Sequence, residues 1–236
     1  MRHDEPSLGG FVPFSGVDWP EALSAVVFVK GCPWRCHYCH NPHLQTRDAQ
    51  CAINIAVEEQ KKETQWKHIL SFLESRKKLL DGVVFSGGEP FSEPLIDHMI
   101  VQVVALGYRV AVHTAGIYPK KLESALPKLS WVGLDIKTEA QGYDALTGRE
   151  ASAQPVWRCL DSLLESQVPF ECRTTWSPEW LSEFALIDLA QGLSRKGVRK
   201  YAVQRYRSPA HRVVDTGLSA QSMQTLNGLF EQFSYR

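Results

Sequence analysis

Val29-Lys30-Gly31-Cys32-Pro33-Trp34-Arg35-Cys36-His37-Tyr38-Cys39-His40-Asn41-Pro42 is the stretch on which the reading of this chain turns. Its three thiols, spaced C-x3-C-x2-C, fit on one tight loop and are one too few for a closed tetrahedral site. A soft thiolate site with an open position is built for chemistry on something bound there, and an iron–sulfur cluster held this way leaves one iron without a protein ligand. On spacing alone zinc is the rival, with His37, His40 or His43 as a fourth ligand in a Cys3His site.

Working outward, Ala25-Val26-Val27-Phe28-Val29 reads as a buried strand that feeds directly into the cysteine loop. Trp66, Ile69, Leu70 and Leu73 mark a helix within about 58–80. Strands are expected at Gly82–Ser86, Arg109–His113, Trp131–Ile136, Phe170–Thr175 and Tyr201–Gln204. Helical stripes lie between them: Ile96, Met99, Ile100, Val103 and Val104; then Val156, Cys159, Leu160, Leu163 and Leu164; then about Leu181–Arg195. Met223, Leu226, Leu229, Phe230 and Phe233 are spaced for a C-terminal capping helix over about 219–233.

Six strands separated by helices argue for βα units and parallel strands: an α/β fold, a partial (β/α)6 barrel open on one side, with a C-terminal helix. The expected organisation is one domain over residues 1–236, with its core at about 20–206. The cysteine loop, Gly87-Gly88-Glu89-Pro90, Thr114-Ala115-Gly116 and Asp135-Ile136-Lys137 all follow strand C-termini, where parallel α/β folds place their ligands. They are expected to converge on one pocket.

Composition narrows the partners. Zero formal charge and a pI near 7.1 give no global field toward nucleic acid or an anionic membrane. No apolar run approaches the roughly 20 residues of a bilayer span, and Met1-Arg2-His3-Asp4-Glu5 lacks a signal core, so the expected location is the cytoplasm. Six cysteines, half of them within residues 32–39, suit a reducing compartment and a metal site. Cys159 on a helix stripe and Cys172 in a strand read as core residues, and Cys51 stands alone in a polar segment.

Cys32-x3-Cys36-x2-Cys39 after the first strand, with Tyr38 before the third cysteine and Gly-Gly-Glu-Pro after the second strand, resembles the radical S-adenosylmethionine superfamily over roughly Phe11 to Tyr206. The lead-in Ser15-Gly16-Val17-Asp18-Trp19-Pro20 and Cys39-His40-Asn41-Pro42 are similar to the glycyl-radical-enzyme activases. The resemblance is closest to the activating protein of anaerobic ribonucleoside-triphosphate reductase, with the pyruvate formate-lyase branch a neighbour.

This resemblance implies that Cys32, Cys36 and Cys39 hold three irons of a [4Fe–4S] cluster and that S-adenosylmethionine chelates the fourth. It implies that the backbone of Gly87 and Gly88, with Glu89, takes the methionine ammonium; that Lys137 and Arg173 suit its carboxylate; and that Thr114, Asp135 and Tyr38 lie near the cofactor. Asp135 and Lys137, on one face of a strand, can alternatively pair with each other, and Arg173 can be a structural ion-pair residue. The implied partners are a glycyl radical enzyme, by resemblance the anaerobic ribonucleotide reductase, and an electron donor such as flavodoxin or ferredoxin. Many activases place glycine after the Val-Asp-Trp-Pro run, where this chain has Glu21. His113 and Gln204 replace an acidic residue and a histidine of the pyruvate formate-lyase branch, so a cation site there is not expected. The basic residues Arg195, Lys196, Arg199, Lys200, Arg205, Arg207 and Arg212 could dock an acidic surface or form a solvated face. The alternative enzyme reading is a radical enzyme acting on a small molecule or peptide; outside enzymes it is a zinc-stabilised binding module.

Overall fold

The computed structural model describes residues 5–47, 65–206 and 217–236. Cys51, Arg207 and Arg212 lie outside the described residues. Among the described residues, eight strands are ordered in the sheet as they are in the chain, with β1 and β8 as its edges, so the sheet does not close. These residues group into two compact units. The first takes Met1–Pro33, Asn41–Thr114 and Lys120–Val132; the second takes Trp34–His40, Ala115–Pro119 and Gly133–Arg236.

In the first unit, β2 (Ser24–Val29) and β3 (Gly82–Gly87) pair in parallel from Ser24↔Gly82 to Val29↔Gly87, and β4 (Arg109–Thr114) continues the parallel run. Their Val-rich runs are buried on both faces, the pattern of a covered parallel sheet. The helices α1 (Gln65–Ser75) and α2 (Ile96–Ala105) lie between them and α3 (Pro119–Ala125) follows β4; α1 buries Trp66, Ile69 and Leu73, one turn apart on one face. Val104, expected on the α2 stripe, is instead exposed, because Met99, Ile100 and Val103 already fill the face toward the sheet.

β1 (Leu8–Ser15) was not expected. Gly9, Gly10 and Pro13 disguise it, yet it pairs antiparallel with β2, with Phe11 opposite Val27, at an edge where proline costs little. Its turn into β2 sends Trp19 into the core with Val26, Val84, Ala111 and Trp131, and Arg109 stacks its guanidinium 4.9 Å from the Trp19 ring. Glu21 adopts φ 63°, so this turn keeps a left-handed conformation without a glycine. β5 (Trp131–Asp135) contributes its first two residues to this unit and its last three to the other.

The second unit holds α4 (Tyr143–Thr147), α5 (Ala153–Glu165), β6 (Phe170–Trp176), α6 (Glu183–Lys196), β7 (Lys200–Arg205), α7 (Ala220–Leu229) and β8 (Gln232–Tyr235). β6, β7 and β8 are parallel neighbours. The expected C-terminal helix over 219–233 therefore needs correction at its end. The helix stops at Leu229, Phe230 turns extended, and Phe233 enters β8 opposite Tyr201. Backbone groups along β7 decide this: Arg199 O, Val203 O and Arg205 N all pair with the last residues of the chain. Phe230 and Phe233 then pack on Tyr201 at 4.9 and 6.2 Å.

Glu183 opens α6 and also ties down α7. Ser219 N and Ser219 Oγ donate to its two carboxylate oxygens at 2.9 and 2.7 Å, and Ser222 Oγ donates at 2.6 Å. Burial works against its charge, but the hydrogen bonds from Ser222 and Ser219 outweigh it and hold the carboxyl below its ordinary value of 4.5. A depressed folded value means stability present above 4.5 and lost as pH falls through the folded value. Glu183→Ala should therefore cost about 1 kcal/mol at neutral pH, with solvent screening keeping the figure at the low end for charged hydrogen bonds. In denaturant titrations the difference from wild type should shrink as pH drops below that range.

Candidate functional site

The stem of the cysteine loop belongs to the first unit, and backbone hydrogen bonds place it. Gly31 N donates to Leu44 O at 2.8 Å and Cys32 N to Gln45 O at 3.0 Å, so the outgoing and returning limbs of the loop are zipped together. The Gly-Gly-Glu-Pro turn closes on the same stem. Gly88 N donates to Val29 O at 2.9 Å, and Gly31 O accepts from both Glu89 N and Ser92 Oγ at 2.8 Å. A Cβ on Gly88 would lie 2.4 Å from Gly31 O, and one on Gly87, at φ +115°, 2.3 Å from Val29 O. The two glycines thus serve an approach of backbone to backbone, which no other residue permits.

Glu89 is fully buried. Its Oε1 accepts from Phe91 N at 3.1 Å, capping the short turn Pro90–Ser92, and from Thr114 Oγ1 at 2.8 Å at the end of β4. Glu89 and Thr114, predicted separately, are one hydrogen-bonded pair. His113 takes another course: its Nε2 lies 2.7 Å from Asp18 O and its ring stands edge-on to Trp131.

The tip of the loop, Trp34–His40, belongs to the second unit. Arg35 N donates to Thr147 O at 2.8 Å, Trp34 packs edge-on to Tyr143, and Cys39 N closes a turn on Cys36 O. Tyr38 stacks flat on Trp180 at 4.7 Å; His37 and Tyr206 stand edge-on to Trp180, and His40 stacks on Tyr206. Tyr38 Oη and Trp180 Nε1 are buried without a hydrogen bond among the described residues. Trp180 and Tyr206 were missed by the sequence reading. The available signal was position: each lies shortly after the C-terminal end of a strand, β6 and β7.

In the same unit, Asp135 sits between two cations. Arg173 Nε donates to Asp135 Oδ1 at 3.2 Å, and Lys137 Nζ lies 3.6 Å from Oδ2. Arg173 is buried and also donates to Gly133 O; Lys137 N donates to Tyr143 Oη. The pairing alternative for these residues is thus realised in the structure. Lys137 Nζ lies 5.6 Å from the Tyr38 ring centre. Burial opposes its charge, yet Tyr38, Asp135 and Cys36 hold the ammonium well above the ordinary lysine value. Burial pushes the Cys36 thiol up, with Lys137 acting in the opposite direction.

Cys32, Cys36 and Cys39 are each partly exposed and none is in a disulfide, whereas Cys159 and Cys172 are buried, as expected of core residues. Cys159 Sγ reaches Gly116 O at 3.3 Å. Among the described residues no three His, Cys, Asp or Glu side chains are gathered as a single metal ion requires. The three thiols on the loop are soft donors of the type an iron–sulfur cluster takes.

The radical SAM superfamily model matches residues 26–176, from β2 to the end of β6. The chain belongs to the radical SAM superfamily. It is a radical SAM enzyme, of a family whose members use a [4Fe–4S] cluster with S-adenosylmethionine. A Methanocaldococcus jannaschii protein named as a glycyl-radical enzyme activating enzyme is 26% identical over 206 residues, covering 84% of this chain and 79% of that one. The pyruvate formate-lyase-activating enzyme of Clostridium pasteurianum is 33% identical over 138 residues, covering 56% of this chain and 53% of its own. Among solved structures, Streptococcus suis SuiB bound to S-adenosylmethionine shares the fold, with a TM-score of 0.61 and 15% identity over 87% of this chain. This chain spans about half of SuiB. No helix among the described residues is long and apolar enough to cross a membrane.

Gly88→Ala should force the loop stem and the Gly-Gly-Glu-Pro turn apart, costing about 1–3 kcal/mol in chemical denaturation. Gly192→Ala, in α6 with nothing within 4 Å of the added Cβ, should be neutral or stabilising. Equal effects of the two substitutions would contradict the close-approach account.

Proposed function

We propose that this chain is a glycyl-radical-enzyme activase, with Cys32, Cys36 and Cys39 holding three irons of a [4Fe–4S] cluster and S-adenosylmethionine taking the fourth. The observation that carries the reading is the set of three unbridged, partly exposed thiols on a loop whose stem is closed by the Gly-Gly-Glu-Pro turn. The names of both curated relatives support the activase assignment. When bound, the cluster and S-adenosylmethionine supply a one-electron cleavage that yields methionine and a 5′-deoxyadenosyl radical, which takes a hydrogen atom from a glycine Cα of the partner.

The chain's own residues bind and orient. The backbone of Gly87 and Gly88 and the Glu89 carboxylate, aligned by Thr114, take the methionine ammonium. Lys137 and Arg173 supply positive charge for its carboxylate, and Asp135, held between them with about a third of its side chain exposed, meets the ribose. Tyr38, clamped by Trp180, keeps the loop tip in place beside the adenosyl portion. The electron donor is a flavodoxin or ferredoxin of the cytoplasm, and neither nucleic acid nor a membrane takes part.

The partner is the anaerobic ribonucleotide reductase. In support, His113 and Gln204 stand where the pyruvate formate-lyase branch has an acidic residue and a histidine, and the His113 ring meets Asp18 O and Trp131. Mixing reduced, anaerobically reconstituted protein with S-adenosylmethionine and that reductase should give 5′-deoxyadenosine and the electron paramagnetic resonance doublet of a glycyl radical. Cys36→Ala should abolish both signals and Cys159→Ala should spare them. Absence of the doublet with every glycyl radical enzyme of the same cell sinks the activase assignment; absence of 5′-deoxyadenosine sinks the radical reading itself.

A further inference from the structure

Beyond the zipped limbs of the cysteine loop, one charged contact joins its returning limb to the Gly-Gly-Glu-Pro segment. Glu93, three residues past Pro90, is completely buried. Its Oε2 accepts from Arg47 Nη1 at 3.0 Å and from Ser7 N at 3.2 Å, and its Oε1 accepts from Leu95 N at 3.1 Å. Arg47 Nη2 also donates to Ser92 O. Arg47 follows Gln45, the residue whose carbonyl holds Cys32 N, by two positions. Its side chain runs along Gly31: a Cβ there, at φ +99°, would lie 3.1 Å from Arg47 Nε and 3.0 Å from Ser92 Oγ. The residues on either side of the Arg47–Glu93 pair therefore meet at Gly31 and Cys32.

We infer that Arg47 and Glu93 are a positioning pair for the cluster, buckling the cysteine-loop stem onto the Gly-Gly-Glu-Pro turn so that Cys32 is held in place before metal arrives. The inference rests on the reading of the three cysteines as cluster ligands. Three arguments separate this role from general support of the fold. First, Arg47 lies outside the β2–β3 ladder, which pairs along its whole length through its own backbone groups. Second, the guanidinium contacts both the carboxylate and the Ser92 carbonyl, a two-point grip that fixes geometry as well as charge. Third, a carboxylate buried this deeply requires a counter-charge, and the cation facing it comes from the metal-loop limb rather than from an adjoining helix. Groups that orient a ligand-bearing loop without touching metal govern how long the metal stays.

The test measures iron release and backbone opening rather than turnover. Arg47→Met, Arg47→Lys and the double variant Arg47→Met/Glu93→Gln, which leaves no uncompensated buried charge, are reconstituted anaerobically and challenged with a ferrous chelator. Arg47→Met and the double variant should release iron about tenfold faster than wild type, with Arg47→Lys between. In the metal-free proteins, amide exchange should quicken at Gly31, Cys32 and Leu44–Arg47 while β2, β3 and β4 keep wild-type protection. Iron release and local exchange at wild-type rates in both Arg47→Met and the double variant would overturn the proposal, as would exchange that quickens uniformly across β2–β4. If the single variant fails to fold, the double variant decides. If wild type holds no iron, the cluster reading fails, and exchange at Gly31 and Cys32 still tests the buckle.

Discussion

The carbonyl oxygen of Gly31 is where the architecture of the first unit closes. It accepts from Glu89 N and Ser92 Oγ, and Gly88 lies so near it that a methyl group would not fit. Parallel pairing of β2 with β3 runs in register to Val29↔Gly87, so the two strand ends leave the sheet side by side. The cysteine-loop stem after β2 and the Gly-Gly-Glu-Pro turn after β3 must then share one narrow space. Glycine on one side and glycine on the other let the backbones interlock, and the hydrogen bonds between them give the cysteine loop a fixed root. Substituting either chain segment independently would break this match.

The chemistry divides along the chain in the same way. In the first unit, the buried Glu89 carboxylate accepts from Phe91 N and Thr114 Oγ1, just after the Gly87-Gly88 backbone. Groups of the second unit, Asp135, Lys137 and Arg173, form a set with two cations about one carboxylate. Taken each by itself, a buried carboxylate with hydrogen-bond donors suits a cationic group, and a set rich in cations suits an anionic one. The cysteine loop, like β5, is divided between the units, with its stem in one and its tip in the other.

Much of this was legible in the sequence, and the reasons are specific. Val26, Val84, Val110 and Val132 sit in short apolar runs that only a buried parallel strand explains, so the strands that flank the site were placed to within a residue or two. The edge strands were not: Gly9, Gly10 and Pro13 hide β1, and Phe230 and Phe233 fall at helical spacing although the unpaired flank of β7 draws the latter into β8. The cysteines and the Gly-Gly-Glu-Pro turn declared themselves by spacing. Their supports did not, because Arg47 meets Glu93 and Tyr38 meets Trp180 across separations in sequence that no local pattern encodes. Glu21 is a further case: at φ 63° it holds a left-handed turn that composition alone would assign to glycine.

The central claim is that the three cysteines leave one iron of a cluster to the amino acid end of S-adenosylmethionine. Electron–nuclear double resonance on the reduced, reconstituted protein, with S-adenosylmethionine carrying ¹⁵N in its amino group and ¹⁷O in its carboxylate, examines that bond directly. The account predicts hyperfine coupling of both labels to the cluster. A well-formed cluster signal with neither label coupled, while the cofactor is bound in excess, would contradict it.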